Sequence, residues 1–417
     1  MEGIEIYGGD PLSGEVRIQG SKNAALPILA AVILHRGITK LHNCPNIRDV
    51  TYMVQILEEM GCHVTWSGHT LCVDAKEVHS AWVSPEAGKK MRSSIIFLGA
   101  LLGRMKEACI PYPGGCVIGA RPIDLHKKSM EQMQTSFEEK DGIVYASAPN
   151  LLGSSIPLDF PSVGATENII LAAVLAEGRT EILNAAKEPE IVELCEFLNQ
   201  KGAKITGAGT ACIVIEGVSE LADSEYCLMS DRIVAGTYLM AVMATRGQCV
   251  LKAAPVSQLT KVLEMVQKMG AVITVKAEEL SVDGRVASQP LPFAETLPYP
   301  GFPTDLQSQL MALLSVAEGE SRIAERMFES RFKIAAELRR MGAGIVIAGA
   351  EARISGGALL GTAVNAPELR GGAALVIAGL CATGKTTIAD CHYIERGYED
   401  ICGDLQKLGA QIRKIDR

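Results

Sequence analysis

LRGGAALVIAGLCATGKTTI, Leu369 to Ile388, contains GLCATGKTT, Gly379 to Thr387, which fits the phosphate-loop pattern G-x-x-x-x-G-K-[ST]. A working phosphate loop follows a strand and opens a helix, so that loop amides and a helix N-terminus face the phosphates. Here the order is reversed. The apolar stretch before Gly384 reads as a helix, and Thr386 to Ala389 reads as the start of a strand. Gly384 then ends a helix, and Lys385 is a solvated turn lysine.

The same helix, glycine turn and strand recur along the chain. KNAALPILAAVILHRGITKL, RSSIIFLGALLGRMKEACI, ATENIILAAVLAEGRTEIL, RIVAGTYLMAVMATRGQCVL and TDLQSQLMALLSVAEGESRI are the other copies, with turn glycines expected at 37, 103, 178, 247 and 319. Each helix is apolar on nearly all sides, which predicts burial inside a domain. A second signature has the same period: LEEMGCHVTW, FLNQKGAKIT, VQKMGAVITV, LRRMGAGIVI and LQKLGAQIRK, with glycines at 61, 202, 270, 342 and 409. Gln134 of EQMQTSFEE takes the glycine's place in the sixth copy. Six units of roughly 70 residues follow.

Each unit holds a buried helix, a strand, an amphipathic helix and further strands. The fold class is therefore α/β, with two pseudo-threefold domains of three units each and a break near Ser230. A ligand is expected between them, facing the positive N-terminal ends of the buried helices.

Composition narrows the function classes. Of 417 residues, 48% are hydrophobic and 21% charged, which supplies real cores. The longest apolar run, Ala24 to Leu34, is too short to span a bilayer. The acidic N-terminus lacks the features of a signal peptide, so a cytosolic location is expected. A net charge of −8 disfavours nucleic acid and acidic membranes as partners. Twelve scattered cysteines without a C-x-x-C pair read as free thiols, and the seven histidines have no zinc spacing.

With the repeat accounted for, the residues it does not need stand out. PYPGGCVIGARPIDLH, Pro111 to His126, is a proline- and glycine-rich connection carrying Cys116 near Arg121. That setting favours a thiolate or a proton-donating thiol; an incidental loop cysteine is the other reading. Lys22, Arg92, Arg232 and Arg370 head buried helices, and Arg331 and Arg396 sit in turns before amphipathic ones. The set suits a substrate bearing carboxylate or phosphate, although each residue singly also fits a surface ion pair. Asp305, in GFPTDLQSQ, fits a helix cap or a general base.

GSKNAALPILAA, YPGGCVIGARPIDLH, PSVGATENIILAA, NAAKEPEIV, FPTDLQSQ, ESRF and IERGYED resemble, in order and spacing, the motifs of the UDP-N-acetylglucosamine 1-carboxyvinyltransferase family. The resemblance runs from Ile4 to the C-terminus. It implies two inside-out α/β barrel-like domains, residues 22–229 forming one and 1–21 plus 230–417 the other. It also implies transfer of the enolpyruvyl group of phosphoenolpyruvate to the 3′-hydroxyl of UDP-N-acetylglucosamine, in peptidoglycan synthesis.

By the same resemblance Asp305 removes the hydroxyl proton. Cys116 protonates the methylene carbon, and is the thiol that the epoxide fosfomycin would modify. Lys22, Arg121 and Arg396 hold phosphate, Arg331 and Arg370 the carboxylate, and Asn23 the intermediate. Arg121, Pro122, Ile123, Asp124 and Leu125 frame the uracil, while Ser162, Val163 and Gly164 meet the diphosphate. Arg92 and Met327 complete the implied substrate contacts. No metal or organic cofactor is implied, and the expected state is a monomer or weak oligomer.

Phe160 stands where some members have lysine, and Glu368 where aspartate is common. The alternatives are 3-phosphoshikimate 1-carboxyvinyltransferase, which the PGGC and RPIDLH segments argue against, and a non-catalytic paralogue, which would need neither acid nor base.

Overall fold

Each apolar run becomes a helix. In chain order the buried helices are Lys22–Ala31, Phe97–Met105, Val163–Ala173, Arg232–Ala244, Gln307–Leu314 and Leu369–Cys381. Every residue from Leu369 to Leu380 is buried, as is every residue from Gln307 to Leu314. A helix enclosed on all sides needs no polar stripe, which is why these runs show none. The amphipathic helices, such as Arg48–Glu59 and Thr260–Lys268, bury one face only.

The computed structural model describes residues 3–114, 123–286 and 288–415. They divide into two units. Residues up to 19 and from 230 onward make a host unit, and residues 20–114 and 123–229 make a unit inserted in its sequence. Each has its own apolar core, the host's including Ile4, Leu239 and Val376, the inserted unit's including Ile28, Phe97 and Ile170.

Six sheets occur among the described residues, three per unit. In the host unit, Gly3–Tyr7 lies between Lys385–Ala389 and Gln411–Ile415, antiparallel to both, so that Ile4 faces Ile388 and Lys414. Ser13–Arg17 pairs in parallel with Gln248–Lys252. In the inserted unit, Ser224–Cys227 pairs in parallel with Ile38–His42. The strand that follows a buried helix thus has a parallel neighbour on one side and an antiparallel one on the other, as for Arg179–Leu183 between Ser155–Pro157 and Cys212–Glu216; the exception is Glu107–Pro111, whose parallel side has only a single bridge, Trp82 to Cys109.

The opening stretch runs as helix, turn and strand. The sixth buried helix ends at Cys381, Gly384 adopts φ 93°, and Lys385 opens the strand Lys385–Ala389 with its Nζ 3.3 Å from Glu5 Oε2. No helix begins at Gly384, so the phosphate-loop geometry is absent there.

Two expected turn glycines are displaced. Gly103 is an interior residue of the second buried helix, lying against Leu34 and Leu171; the left-handed turn falls on Lys106, at φ 64°. Likewise Arg246, not Gly247, takes the left-handed conformation, at φ 54°, while Gly247 is needed because a side chain would strike the backbone of Leu12. Gly37 is not left-handed either; a Cβ there would meet His35 and Asp223. In the second signature Gln134 adopts φ 69° where its counterparts are glycine, a conformation that disfavours a residue with a Cβ by about 1 kcal/mol.

Candidate functional site

In the host unit, four charged side chains meet at the N-terminal ends of the fifth and sixth buried helices. Asp305 lies on the 3₁₀ turn Thr304–Leu306 that leads into the fifth. Its Oδ1 is 2.6 Å from Arg331 Nη2 and its Oδ2 2.8 Å from Arg370 Nη2. Arg331 also donates from Nε to the Thr304 carbonyl at 3.2 Å, and its Nη1 stands 3.8 Å from Glu368 Oε2. Glu368 in turn caps the sixth helix, accepting from the Arg370 and Gly371 amides. Both arginines are only 3% exposed.

This arrangement bears on the helix-cap reading of Asp305. Pro303 and Leu306 occupy the capping positions of the 3₁₀ turn and the helix, and the Asp305 carboxylate faces two guanidinium groups. Burial is the largest single influence and opposes the charge on Arg370, but Asp305, Tyr398 and Asp231 together outweigh it and hold the pKa above the ordinary arginine range. Among the described residues Arg370 Nη1 is buried and has no hydrogen-bond partner. A buried guanidinium with an unused donor matches a planar anion such as a carboxylate.

The loop carrying Met327 is shaped by Glu325, which is 5% exposed. Its Oε1 accepts from Thr296 Oγ1 at 2.8 Å and from the Met327 amide at 2.8 Å, and its Oε2 from Thr304 Oγ1 at 3.0 Å. One carboxylate thus ties the Met327 loop to the turn bearing Asp305. Arg396, half-buried, ends the 3₁₀ segment Cys391–Arg396, and the next residues are fixed to Gln19, which donates to the Gly397 carbonyl at 3.2 Å and accepts from the Glu399 amide at 2.9 Å. Arg232 opens the fourth buried helix behind its cap Asp231, and packs 5.8 Å from the Tyr299 ring centroid.

In the inserted unit, Lys22 is the first residue of the first buried helix. Ser21 caps that helix through the Ala24 amide, and Lys22 Nζ is 2.8 Å from Asp49 Oδ2. Asn23 follows, half-buried. Arg92 heads a 3₁₀ segment, Arg92–Ile96, that precedes the second buried helix, so its charge lies one turn before the α-helical run. Ser162 caps the third through the Ala165 amide; Val163 opens it, and Gly164 is close to His126, which a Cβ would meet at 3.0 Å. His126 Nδ1 is 2.9 Å from Asn168 Nδ2, and Asn168 Oδ1 accepts from the Gly99 amide at 2.6 Å. Ile123 is buried at the start of the helix Asp124–Gln132, with Asp124 exposed and Leu125 half-buried. Phe160 is exposed beside Ser162.

Cys116, Arg121 and Pro122 lie outside the described residues. Asp305, Arg331 and Arg370 come together in one network, to which the structure adds Glu368. Asp49 and Glu325 were missed by sequence reasoning. Asp49 is an acid in a helix first turn, where it passes for a dipole complement; its burial beside Lys22 is what marks it.

A family model described as EPSP synthase (3-phosphoshikimate 1-carboxyvinyltransferase) matches residues 6–405. The chain is 47% identical to UDP-N-acetylglucosamine 1-carboxyvinyltransferase 2 of Caldanaerobacter subterraneus, over 100% of both chains. It is 43% identical to UDP-N-acetylglucosamine 1-carboxyvinyltransferase 1 of Staphylococcus aureus, again over 100% of both. Among solved structures, the enolpyruvyl transferase NikO from Streptomyces tendae superposes with a TM-score of 0.89 at 27% identity, covering 99% of this chain and 98% of that one. EPSP synthase from Acinetobacter baumannii, at 19% identity and a TM-score of 0.77 over 99% of each chain, shares the fold. The chain belongs to the EPSP synthase family of enolpyruvyl transferases, and within it stands with the UDP-N-acetylglucosamine 1-carboxyvinyltransferases.

Proposed function

We propose that this enzyme transfers the enolpyruvyl group of phosphoenolpyruvate to the 3′-hydroxyl of UDP-N-acetylglucosamine, releases phosphate, and so supplies peptidoglycan synthesis. The observation that carries the reading is the full-length identity of 43–47% to proteins bearing that name, against 19% to a solved EPSP synthase. The architecture proposed with it is a pair of inside-out α/β barrel-like domains with a sixfold internal repeat. The enzyme acts in the cytosol as a monomer or weak oligomer, and its chemistry calls on side chains for acid, base and cations.

Asp305 takes the proton of the 3′-hydroxyl as that oxygen bonds to C2 of phosphoenolpyruvate, while Cys116 donates a proton to C3. The product of this step is a tetrahedral ketal that still carries phosphate. Breaking the bond from C2 to the phosphate oxygen, with loss of a C3 proton, regenerates the double bond and frees phosphate. Arg331 and Arg370 hold the carboxylate, a role supported by the unused buried donor of Arg370. Lys22, Arg121 and Arg396 hold the phosphate, stabilising the charge that grows on it. Asn23 contacts the intermediate. Arg121 to Leu125 frame the uracil; Ser162, Val163 and Gly164 receive the diphosphate at a helix N-terminus, with Arg92 and Met327 completing the contacts.

Asp305 is engaged by two arginines, so it is a strongly stabilised anion and a weak base until substrate arrives. A substrate carboxylate that draws Arg370 toward itself would weaken that hold and raise the basicity of Asp305. The test is product identification. Incubation with both substrates should yield an enolpyruvyl ether at the sugar's 3-position by NMR; an unaltered sugar nucleotide alongside consumed phosphoenolpyruvate would overturn the assignment.

A further inference from the structure

The repeat allows one position to be compared between units: the residue just past the strand that follows each buried helix. In four of the six units it is short and left-handed, since Asn43, Asn184, Ala253 and Asp390 have φ between 52° and 58°. Two of these tie the strand to its parallel neighbour. Asn43 donates to the Leu228 carbonyl at 2.8 Å, just past Ser224–Cys227, and Asn184 to the Leu158 carbonyl at 2.9 Å, just past Ser155–Pro157. Ala253 has no polar side chain, yet its strand still pairs in parallel with Ser13–Arg17. The fold therefore asks for one side-chain hydrogen bond here at most.

Glu325 holds this position in the fifth unit, after the strand Glu320–Ala324, and does not take the left-handed backbone. Its Oε1 accepts from Thr296 Oγ1 at 2.8 Å, and Thr296 lies just past Ala294–Glu295, the parallel neighbour. That bond is the counterpart of the asparagine ties, and the others go beyond it. Oε1 also accepts from the amides of Met327 at 2.8 Å and Phe328 at 3.1 Å, and Oε2 accepts from Thr304 Oγ1 at 3.0 Å. Thr304 is thereby held from both sides, its hydroxyl by Glu325 and its carbonyl by Arg331 Nε at 3.2 Å, and the next residue is Asp305. Hydrogen bonds to an ionised oxygen are among the strongest a side chain makes, so this carboxylate is a stiff link between two segments.

We propose that Glu325 is a positioning residue of the acceptor site, fixing the turn that bears Asp305 and the loop that bears Met327 at one spacing, so that the base meets the hydroxyl of the bound sugar nucleotide. The role rests on the transfer reaction proposed above. Glu325 acts through these two neighbours rather than on the substrate. A misplacement of about 1 Å at a reacting group can cost roughly a hundredfold in rate, so a shared anchor matters to the chemistry beyond its share in folding.

Steady-state kinetics with phosphoenolpyruvate and UDP-N-acetylglucosamine tests the role, once product identification has shown that the wild-type chain makes the enolpyruvyl ether. Thr304→Val removes only the tie to the Asp305 turn, so kcat should fall about tenfold while KM for the sugar nucleotide stays within about twofold. Glu325→Ala releases both segments, so kcat should fall about a hundredfold and that KM should rise about tenfold. Glu325→Gln keeps the three bonds on its oxygen and can donate from its nitrogen to Thr304 Oγ1; its kcat should recover to at least about tenfold above that of Glu325→Ala. Melting curves identify the folded variants, and if Glu325→Ala does not fold, the split between kcat and KM in Thr304→Val decides alone. An unchanged kcat in folded Thr304→Val, or equal losses in the Gln and Ala variants, would make Glu325 a structural brace and overturn the proposal. A wild-type chain inert towards UDP-N-acetylglucosamine would instead overturn the reaction itself, and the role with it.

Discussion

The two units compensate buried positive charge by different means. The host sets carboxylates against guanidiniums: Asp305 and Glu368 face Arg331 and Arg370, and the pKa of Arg370 rises. The inserted unit has one such pair, Lys22 with Asp49, but seats three other cations on neutral oxygens. Arg104 and Lys106 rest on carbonyls, and Lys201 rests on Thr39 Oγ1 at 2.9 Å and Ser224 Oγ at 3.1 Å. Burial lowers the pKa of all three, Lys201 to about 8. A cation held by a carboxylate stays charged and can trade partners with an incoming anion. A cation held by carbonyls and hydroxyls is a structural plug, stabilising the fold without offering anything to a ligand.

The strongest way to break this contrast is at its centre. Asp305→Asn leaves two buried guanidiniums without their shared carboxylate and removes the proposed base. Turnover should fall about a thousandfold, and stability by about 3 kcal/mol. Steady-state kinetics and urea unfolding read the two effects, with calorimetry checking that the sugar nucleotide still binds. Unchanged turnover would move the base elsewhere.

Glu193 sharpens the comparison from the inserted side. Burial pushes its carboxyl up to about 8, against the opposing hydrogen bond from the Met229 amide, which it accepts at 2.7 Å. An unfolded glutamate ionises near pH 4.5, so between that pH and about 8 the folded state holds a proton that the unfolded state has lost. Stability relative to Glu193→Gln should therefore fall as pH rises through this window, by up to about 5 kcal/mol. Parallel pH profiles for the two proteins would show that the carboxyl is ionised in the fold.

Lys106→Met should cost about 2 kcal/mol in chemical unfolding, since helix-end carbonyls lose their donor. Arg246→Met, at a left-handed helix end of the host one residue off the position of Lys106, should cost under about 0.5 kcal/mol because its pair with Glu318 is exposed. Equal costs would erase the distinction drawn between the units. A modest change is also expected of Phe160→Lys. Adding a cation beside Ser162 should tighten sugar-nucleotide binding by less than about tenfold, read by calorimetry.

The repeat made much of the fold legible. LCATGKTTI could be placed as helix, turn and strand because Gly384 recurs as Gly178 and Gly319, and all three adopt positive φ. The turn at Lys106 was not legible, since a lysine seldom takes that conformation and Gly103 stood nearby as the more ordinary choice. Lys22, Asp305 and Arg370 were conspicuous as charges at the ends of apolar runs, and Arg331 as a cation in the turn before an amphipathic helix. Glu368 stood out beside Arg370, but Asp49 and Glu325 did not. An acid in a first turn or loop is unremarkable in sequence, and its meaning comes from burial and from the donors that converge on it. For the same reason Arg104 and Lys106 pass for solvated charges at a helix end until the carbonyls beneath them are seen.

The identity of the acceptor is read out by phosphate release. With phosphoenolpyruvate present, UDP-N-acetylglucosamine should trigger stoichiometric release of inorganic phosphate while shikimate 3-phosphate triggers none. Release driven by shikimate 3-phosphate, or release indifferent to the acceptor, would contradict it.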